Sequence, residues 1–144
     1  MKAYVYTDGA SRGNPGESAS GYMILDSSHS PICERVFYNG VCTNNVAEYS
    51  AIIAALRKAL SIGSDEVILH SDSQLVVNQL SGAYKVRSRG LRSLNSESKA
   101  LLRKFKCYEL LNVPRENREI GAVDRKLNAF LDRKLKEKHK YSKE

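Results

Sequence analysis

Glu66–Asp72 reads EVILHSD, a short and nearly continuous apolar run that ends in an acid. A strand without polar alternation is one covered on both faces, which is the habit of parallel strands. The segment therefore predicts a parallel strand, reached and left through helical connections. Upstream of it, Val46, Tyr49, Ile53, Leu56 and Leu60 recur at spacings of three and four from Asn45 onward, and Gly63 follows. That is one face of an α-helix closed by a glycine. Further upstream MKAYVYTD alternates Ala3, Val5 and Thr7 with Tyr4, Tyr6 and Asp8, the period of a strand. SASGYMILD and PICERVFYNG, separated by the turn-forming DSSHSP, add two more strands and complete an antiparallel meander. Downstream, SQLVVNQL predicts a short helix from Ser73, residues 91–105 a second, KCYELLNVP a strand, and Val123, Leu127, Phe130 and Leu131 a last helix from near Ala122. The order βββαβααβα implies an α/β fold: a five-stranded mixed sheet with helices on both faces.

The chain has 144 residues, of which 42% are hydrophobic and 27% charged. This is the size and composition of one globular domain, expected over residues 1–135, with residues 136–144 as a basic, frayed tail. No apolar run approaches the length of a membrane span, and a strand starting at residue 2 leaves no space for a leader, so a cytoplasmic monomer without an obligate protein partner is expected. Cys33, Cys42 and Cys107 are odd in number and form no C-x-x-C pair. Three buried thiols are expected, with a single bridge left open. The formal charge is +7, and eight basic residues between Ser81 and Lys106 face one acid, Glu97. Such a surplus points to a polyanionic partner.

Four acids fall at the ends of elements: Asp8 on the first strand, Glu48 in the first turn of the long helix, Asp72 after the EVILH strand, and Asp124 in the first turn of the last helix. If the first and fourth strands are parallel neighbours, Asp8 and Asp72 stand side by side. Clustered carboxylates raise one another's pKa unless a cation neutralises them. Oxygen donors without His or Cys suit Mg²⁺ or Mn²⁺. Each acid also has a plain reading as a turn former, a helix cap or a partner of a helix dipole.

TDGASRGNPG (7–16), TNNVAEYSAIIAAL (43–56) and SDSQLVVNQL (71–80) together resemble the type 1 ribonuclease H family, and VPREN with VDRKLN is a looser match to its fourth motif. The resemblance covers Lys2 to about Leu135 and implies the ribonuclease H-like fold. It implies an endonuclease that cuts the RNA strand of RNA/DNA hybrids to 5′-phosphate and 3′-hydroxyl ends, using two Mg²⁺ or Mn²⁺ ions on Asp8, Glu48, Asp72 and Asp124. In the family the Asp of the fourth motif stands about four residues after the preceding Asn, whereas Asn117 and Asp124 are seven apart. A loop over ENREIGAV (116–123), longer by three residues, is therefore expected. No His lies between His70 and His139, so Glu116 or Glu119 is left to stand for the loop His of many bacterial members. There is no Trp and no basic protrusion, as in the shorter archaeal-like form.

The resemblance also implies that Asn14, Asn44, Asn45 and Gln74 contact sugars or base edges, and that Thr43 binds a DNA phosphate at a helix N-terminus. Asn44 and Asn45 can equally serve as helix caps. Tyr4, Tyr6 and Tyr49 are expected in the core, and Tyr84, beside Lys85 and Arg87, on the surface as a stacking group. Other nucleases of this fold, acting on duplex RNA or DNA junctions, and a weakly catalytic hybrid-binding module are the competing readings.

Overall fold

The computed structural model describes residues 1–142, with side chains to Lys138. Strands β1 (Lys2–Arg12), β2 (Gly16–Leu25) and β3 (Pro31–Cys42) lead into helix α1 (Asn44–Ser61). Strand β4 (Glu66–Ser71), helices α2 (Gln74–Ser81) and α3 (Arg89–Leu102), strand β5 (Cys107–Asn112) and helix α4 (Arg118–Ser142) follow. The sheet order is β3-β2-β1-β4-β5. The meander is antiparallel, while β1 pairs with β4 and β4 with β5 in parallel, as the unalternated EVILH run requires.

Alternation along β1 sends its side chains to two different cores. Ala3 and Val5 pack with Val67 and Leu69 against Tyr49, Ile52 and Leu56 of α1. On the other face Tyr6 packs with Leu25 and Ile120, beside a cluster of Ala19, Val123, Leu127 and Leu131 under α4. One buried polar chain ties three helices together: the Tyr49 hydroxyl donates to Gln79 Oε1 at 2.8 Å and accepts from Asn95 Nδ2 at 3.0 Å. An unpaired phenol there would carry a desolvation cost, so this chain fixes how α1, α2 and α3 meet.

Helix starts follow their caps. Thr43 accepts from the Val46 N–H, Ser73 from Val76 and Ser88 from Leu91. Gly63, just past α1, takes φ +87°, the left-handed conformation that glycine adopts without penalty.

The last helix departs from its expected start. It begins at Arg118 rather than Ala122, because Asn117 Oδ1 accepts from the N–H groups of both Glu119 and Ile120 at 3.0 Å. The long loop expected at 116–123 is mostly helix, and Asp124 sits in the second turn. At the other end, residues 136–142 of the expected tail continue α4, and 143 and 144 lie outside the described residues. The cysteines are all free thiols, but not all buried: Cys33 and Cys42 are half-buried and Cys107 is exposed on the edge strand β5. Among the described residues no helix is long and apolar enough to cross a membrane.

Candidate active site

The parallel register of β1 and β4 pairs Tyr6 with His70; β4 ends at Ser71 while β1 runs on beside β2, so Asp72, just past the end of β4, stands next to Asp8 on β1. Glu48 reaches them from α1. It can do so because β1 and α1 touch at Gly9, where a Cβ would lie 2.4 Å from the Ala47 carbonyl carbon. The Gly9 N–H donates to Glu48 Oε1 at 3.2 Å, and Ser20 Oγ donates to the Ala47 carbonyl at 2.6 Å, which pins the same contact from β2. One carboxylate oxygen from each of Asp8, Glu48 and Asp72 lies within 4.8 Å of the others. Asp124 is not one of that trio but lines the same cleft, of about 540 Å³, across from α1.

Burial makes this grouping expensive to charge. Asp8 is 5% and Glu48 7% exposed. Burial, then the charge of Asp72 and the approach of Asp124, push the Asp8 carboxyl up to about 8, against a lowering hydrogen bond from Glu48. Burial and the neighbouring charges of Asp8 and Asp72 carry Glu48 well above the usual carboxylate range. Asp72 is raised chiefly by burial, with the Arg115 guanidinium pulling the other way. Glu48 Oε2 is buried without any hydrogen-bond partner. An orphaned buried carboxylate oxygen beside two further carboxylates calls for a cation. The donors are all hard oxygens, so the residues present fit a divalent ion of the Mg²⁺ or Mn²⁺ kind.

Of the residues expected to meet substrate, Asn44 and Asn45 line the cleft. Asn14 and Asn44 also fasten the glycine-rich turn: Asn14 Oδ1 accepts from the Asn44 N–H at 3.0 Å, and Asn44 Oδ1 from the Ser11 N–H at 2.9 Å. Thr43 caps α1, and Gln74 opens α2 outside the residues that line the cleft. Neither Glu116 nor Glu119 lines it. Glu119 instead faces His29, Arg118 and Arg125 in a separate cleft. Tyr84 is 47% exposed and lines a groove with Lys85 and Arg87, whereas Tyr6 and Tyr49 are core residues and Tyr4 is half-buried.

Arg12 and Arg115 line the cleft without having been singled out from the sequence, and Asn128, which entered there only as part of the looser fourth motif supporting Asp124, lines it too. Asn128 carried a usable signal, since it stands four residues after Asp124 on one helix and so shares its face. Its Nδ2 donates to Asp124 Oδ1 at 3.0 Å. Arg12 lies inside the first motif, but its partners on α4 are 116 residues away.

Comparison with known proteins agrees with this geometry. A family profile described as "Reverse transcriptase-like" matches residues 6–121. The ribonuclease HI of Halobacterium salinarum is 39% identical over 131 residues, covering 91% of this chain and 65% of that protein. A bifunctional protein of Mycobacterium tuberculosis is 38% identical over 133 residues, 92% of this chain but 36% of its own length. The chain thus spans about two thirds and about one third of these relatives. The crystal structure of RNase H1 from Halobacterium salinarum superposes with a TM-score of 0.81 at 39% identity, over 85% of this chain and 94% of that one. LC11-RNase H1 in complex with an RNA/DNA hybrid superposes at 0.79 with 32% identity, over 90% and 99%. With this sheet order, this acidic cleft and these relatives, the chain belongs to the type 1 ribonuclease H family.

Proposed function

We propose that the chain is a metal-dependent endonuclease that hydrolyses the RNA strand of RNA/DNA hybrids, leaving 5′-phosphate and 3′-hydroxyl ends. The observation that carries the reading is the convergence of Asp8, Glu48 and Asp72 from β1, α1 and β4, with a buried Glu48 oxygen that lacks any protein partner. A relative of the same fold binds such a hybrid, which supports the substrate class. Asp8, Glu48, Asp72 and, from the facing wall, Asp124 would hold the metal, a divalent ion of the Mg²⁺ or Mn²⁺ kind. Two such ions, when bound, supply a nucleophilic water at neutral pH and stabilise the leaving oxygen. Ser11 and Ser73 line the cleft but, among the described residues, no His or Cys does, so neither serine has an imidazole partner of the kind a side-chain nucleophile uses.

The chain's own residues select and orient the hybrid. Asn45, free on the cleft wall, and the Asn14–Asn44 pair of the fastened turn present amides to the 2′-hydroxyl side of the RNA strand. Thr43, at the start of α1, lies where N–H groups favour a backbone phosphate, and Gln74, at the start of α2, meets a sugar or base edge. Residues 1–135 act as one domain, as a monomer in the cytoplasm.

Labelled RNA/DNA, RNA/RNA and DNA/DNA duplexes offered with Mg²⁺, Mn²⁺ or EDTA test the reading. The hybrid alone is cut, and only with metal; cutting that persists in EDTA, or equal cutting of duplex DNA, overturns it. The fourth ligand has its own comparison. Asp124→Asn lowers the cleavage rate by about 100-fold, while Glu119→Gln, whose side chain lies in the other cleft, changes it less than about threefold. A damaging Glu119→Gln with a silent Asp124→Asn would move the fourth ligand to Glu119.

A further inference from the structure

We propose that Arg12 is a positioning residue for the fourth carboxylate, acting through Asn128. The inference rests on the metal-dependent reading above and deepens it. One terminal nitrogen of the Arg12 guanidinium donates to Asn128 Oδ1 at 3.1 Å and to the Asn128 carbonyl at 3.2 Å, and pairs with Asp132 at 2.9 Å. Asn128 Nδ2 in turn donates to the Asp124 carbonyl at 2.9 Å and to Asp124 Oδ1 at 3.0 Å.

The direction of this chain follows from its chemistry. An amide has an accepting end and a donating end, and either could face Asp124. A guanidinium has donors only, so it takes the oxygen end of Asn128 and turns the NH₂ end onto the carboxylate. One Asp124 oxygen is thereby occupied, and the other is left for the cleft. Asp132 fixes the guanidinium one helical turn further along α4. The arrangement also opposes a specific force: Asp124 lies near Asp8 and Asp72, whose charges repel it. Arg12 stands four residues after Asp8 in the same motif and strand, so the strand that supplies the first carboxylate also disciplines the fourth. The turn that carries Asn14 is tied to α1 by Asn44 and to α4 by Arg12, which makes it the common fastening of both cleft walls.

Full-length Arg12→Ala, Arg12→Lys and Asn128→Ala proteins test the proposal by hybrid cleavage, by calorimetric titration with Mn²⁺ in the absence of nucleic acid, and by thermal unfolding. Arg12→Ala and Asn128→Ala each lower kcat by about 10-fold or more with KM within about twofold, and weaken Mn²⁺ binding by a similar factor. Arg12→Lys recovers part of both losses, since an ammonium also carries donors only and selects the Asn128 oxygen, but lacks the planar guanidinium's fixed donor directions. A merely structural link would lower the melting temperature and leave kcat and Mn²⁺ affinity unchanged; that result overturns the proposal. Failure of the wild type to cut hybrid or to bind Mn²⁺ would instead sink the nuclease reading itself.

Discussion

Asp8→Asn abolishes hybrid cleavage and, in metal-free protein at pH 8, raises the melting temperature. The first half follows from position: Asp8 is the central carboxylate, held on β1 within 4.8 Å of oxygens from Glu48 and Asp72. Losing one preorganised electrostatic partner of a transition state costs on the order of 10³-fold in rate. The second half follows from linkage. The Asp8 carboxyl titrates near 8 in the fold against 3.8 for an ordinary aspartate. A group whose pKa is raised on folding favours the folded state fully below the unfolded value, and that stability is lost as pH rises toward the folded value. Well below 3.8 both forms are protonated and nothing is lost, and at pH 4 the loss is still small. By pH 8 the unfolded chain gains free energy from an ionisation that the fold resists, because burial and Asp72 oppose the charge. Asn keeps the shape and removes the charge, so in EDTA the variant melts several degrees above wild type at pH 8, with the gap closing toward pH 4. Saturating Mg²⁺ narrows or reverses the gap, because the ion binds the wild-type site in its folded form. Thermal melts at pH 4, 6 and 8, with EDTA and with Mg²⁺, check this. Near-normal cleavage would remove Asp8 from the site, and a lower melting temperature at pH 8 in EDTA would mean that the cluster is not a store of repulsion.

That clash between stability and function explains which parts of the molecule were legible in its sequence. Hydrophobic period reports what the core demands, so EVILH announced a strand buried on both faces, and the Val46–Leu60 spacing announced α1. The acids stood out for the opposite reason, since they break those patterns at the ends of elements where a domain gains nothing from them. The start of α4 was hidden because Arg118, Glu119 and Gly121 interrupt the apolar stripe, leaving Ile120 as its first buried member. Only the Asn117 cap marks the true boundary, and an Asn before a charged run is a weak mark. Contacts between distant segments left no local trace. The Arg12–Asn128 bond joins the first motif to the last helix, and the turn asparagines serve the fold as well as the cleft. Cys107 came out exposed because β5 is an edge strand, a fact of topology rather than of composition.

Gly9→Ala lowers both stability and metal affinity far more than its single methyl group suggests. A Cβ at Gly9 would stand 2.4 Å from the Ala47 carbonyl carbon, 2.6 Å from its oxygen and 2.6 Å from the Glu48 nitrogen. All three are backbone atoms, so no rotamer change relieves the contact. Strand β1 and helix α1 must separate by about 1 Å to reach an ordinary van der Waals distance. Overpacking of this kind costs about 3 kcal/mol, at the upper end of its usual range, because rigid elements stand on both sides. The separation also strains the Gly9 N–H bond to Glu48 and the Ser20 bond to Ala47, which hold the third carboxylate against the other two. The melting temperature therefore falls by roughly 10 °C, Mn²⁺ binding weakens by about 10-fold or more, and cleavage falls with it. Gly90→Ala supplies the contrast. Its Cβ would meet nothing nearer than Ser88 Oγ at 3.9 Å, and it lies in helix α3, where Ala outranks Gly by about 1 kcal/mol. That substitution is neutral or stabilising and leaves metal binding unchanged. Urea unfolding and Mn²⁺ calorimetry on the two variants separate a local clash from general glycine sensitivity. A Gly9→Ala protein that melts within about 2 °C of wild type and binds Mn²⁺ equally well would show that β1 and α1 can part without disturbing Glu48, and the close contact would then not be what builds the site.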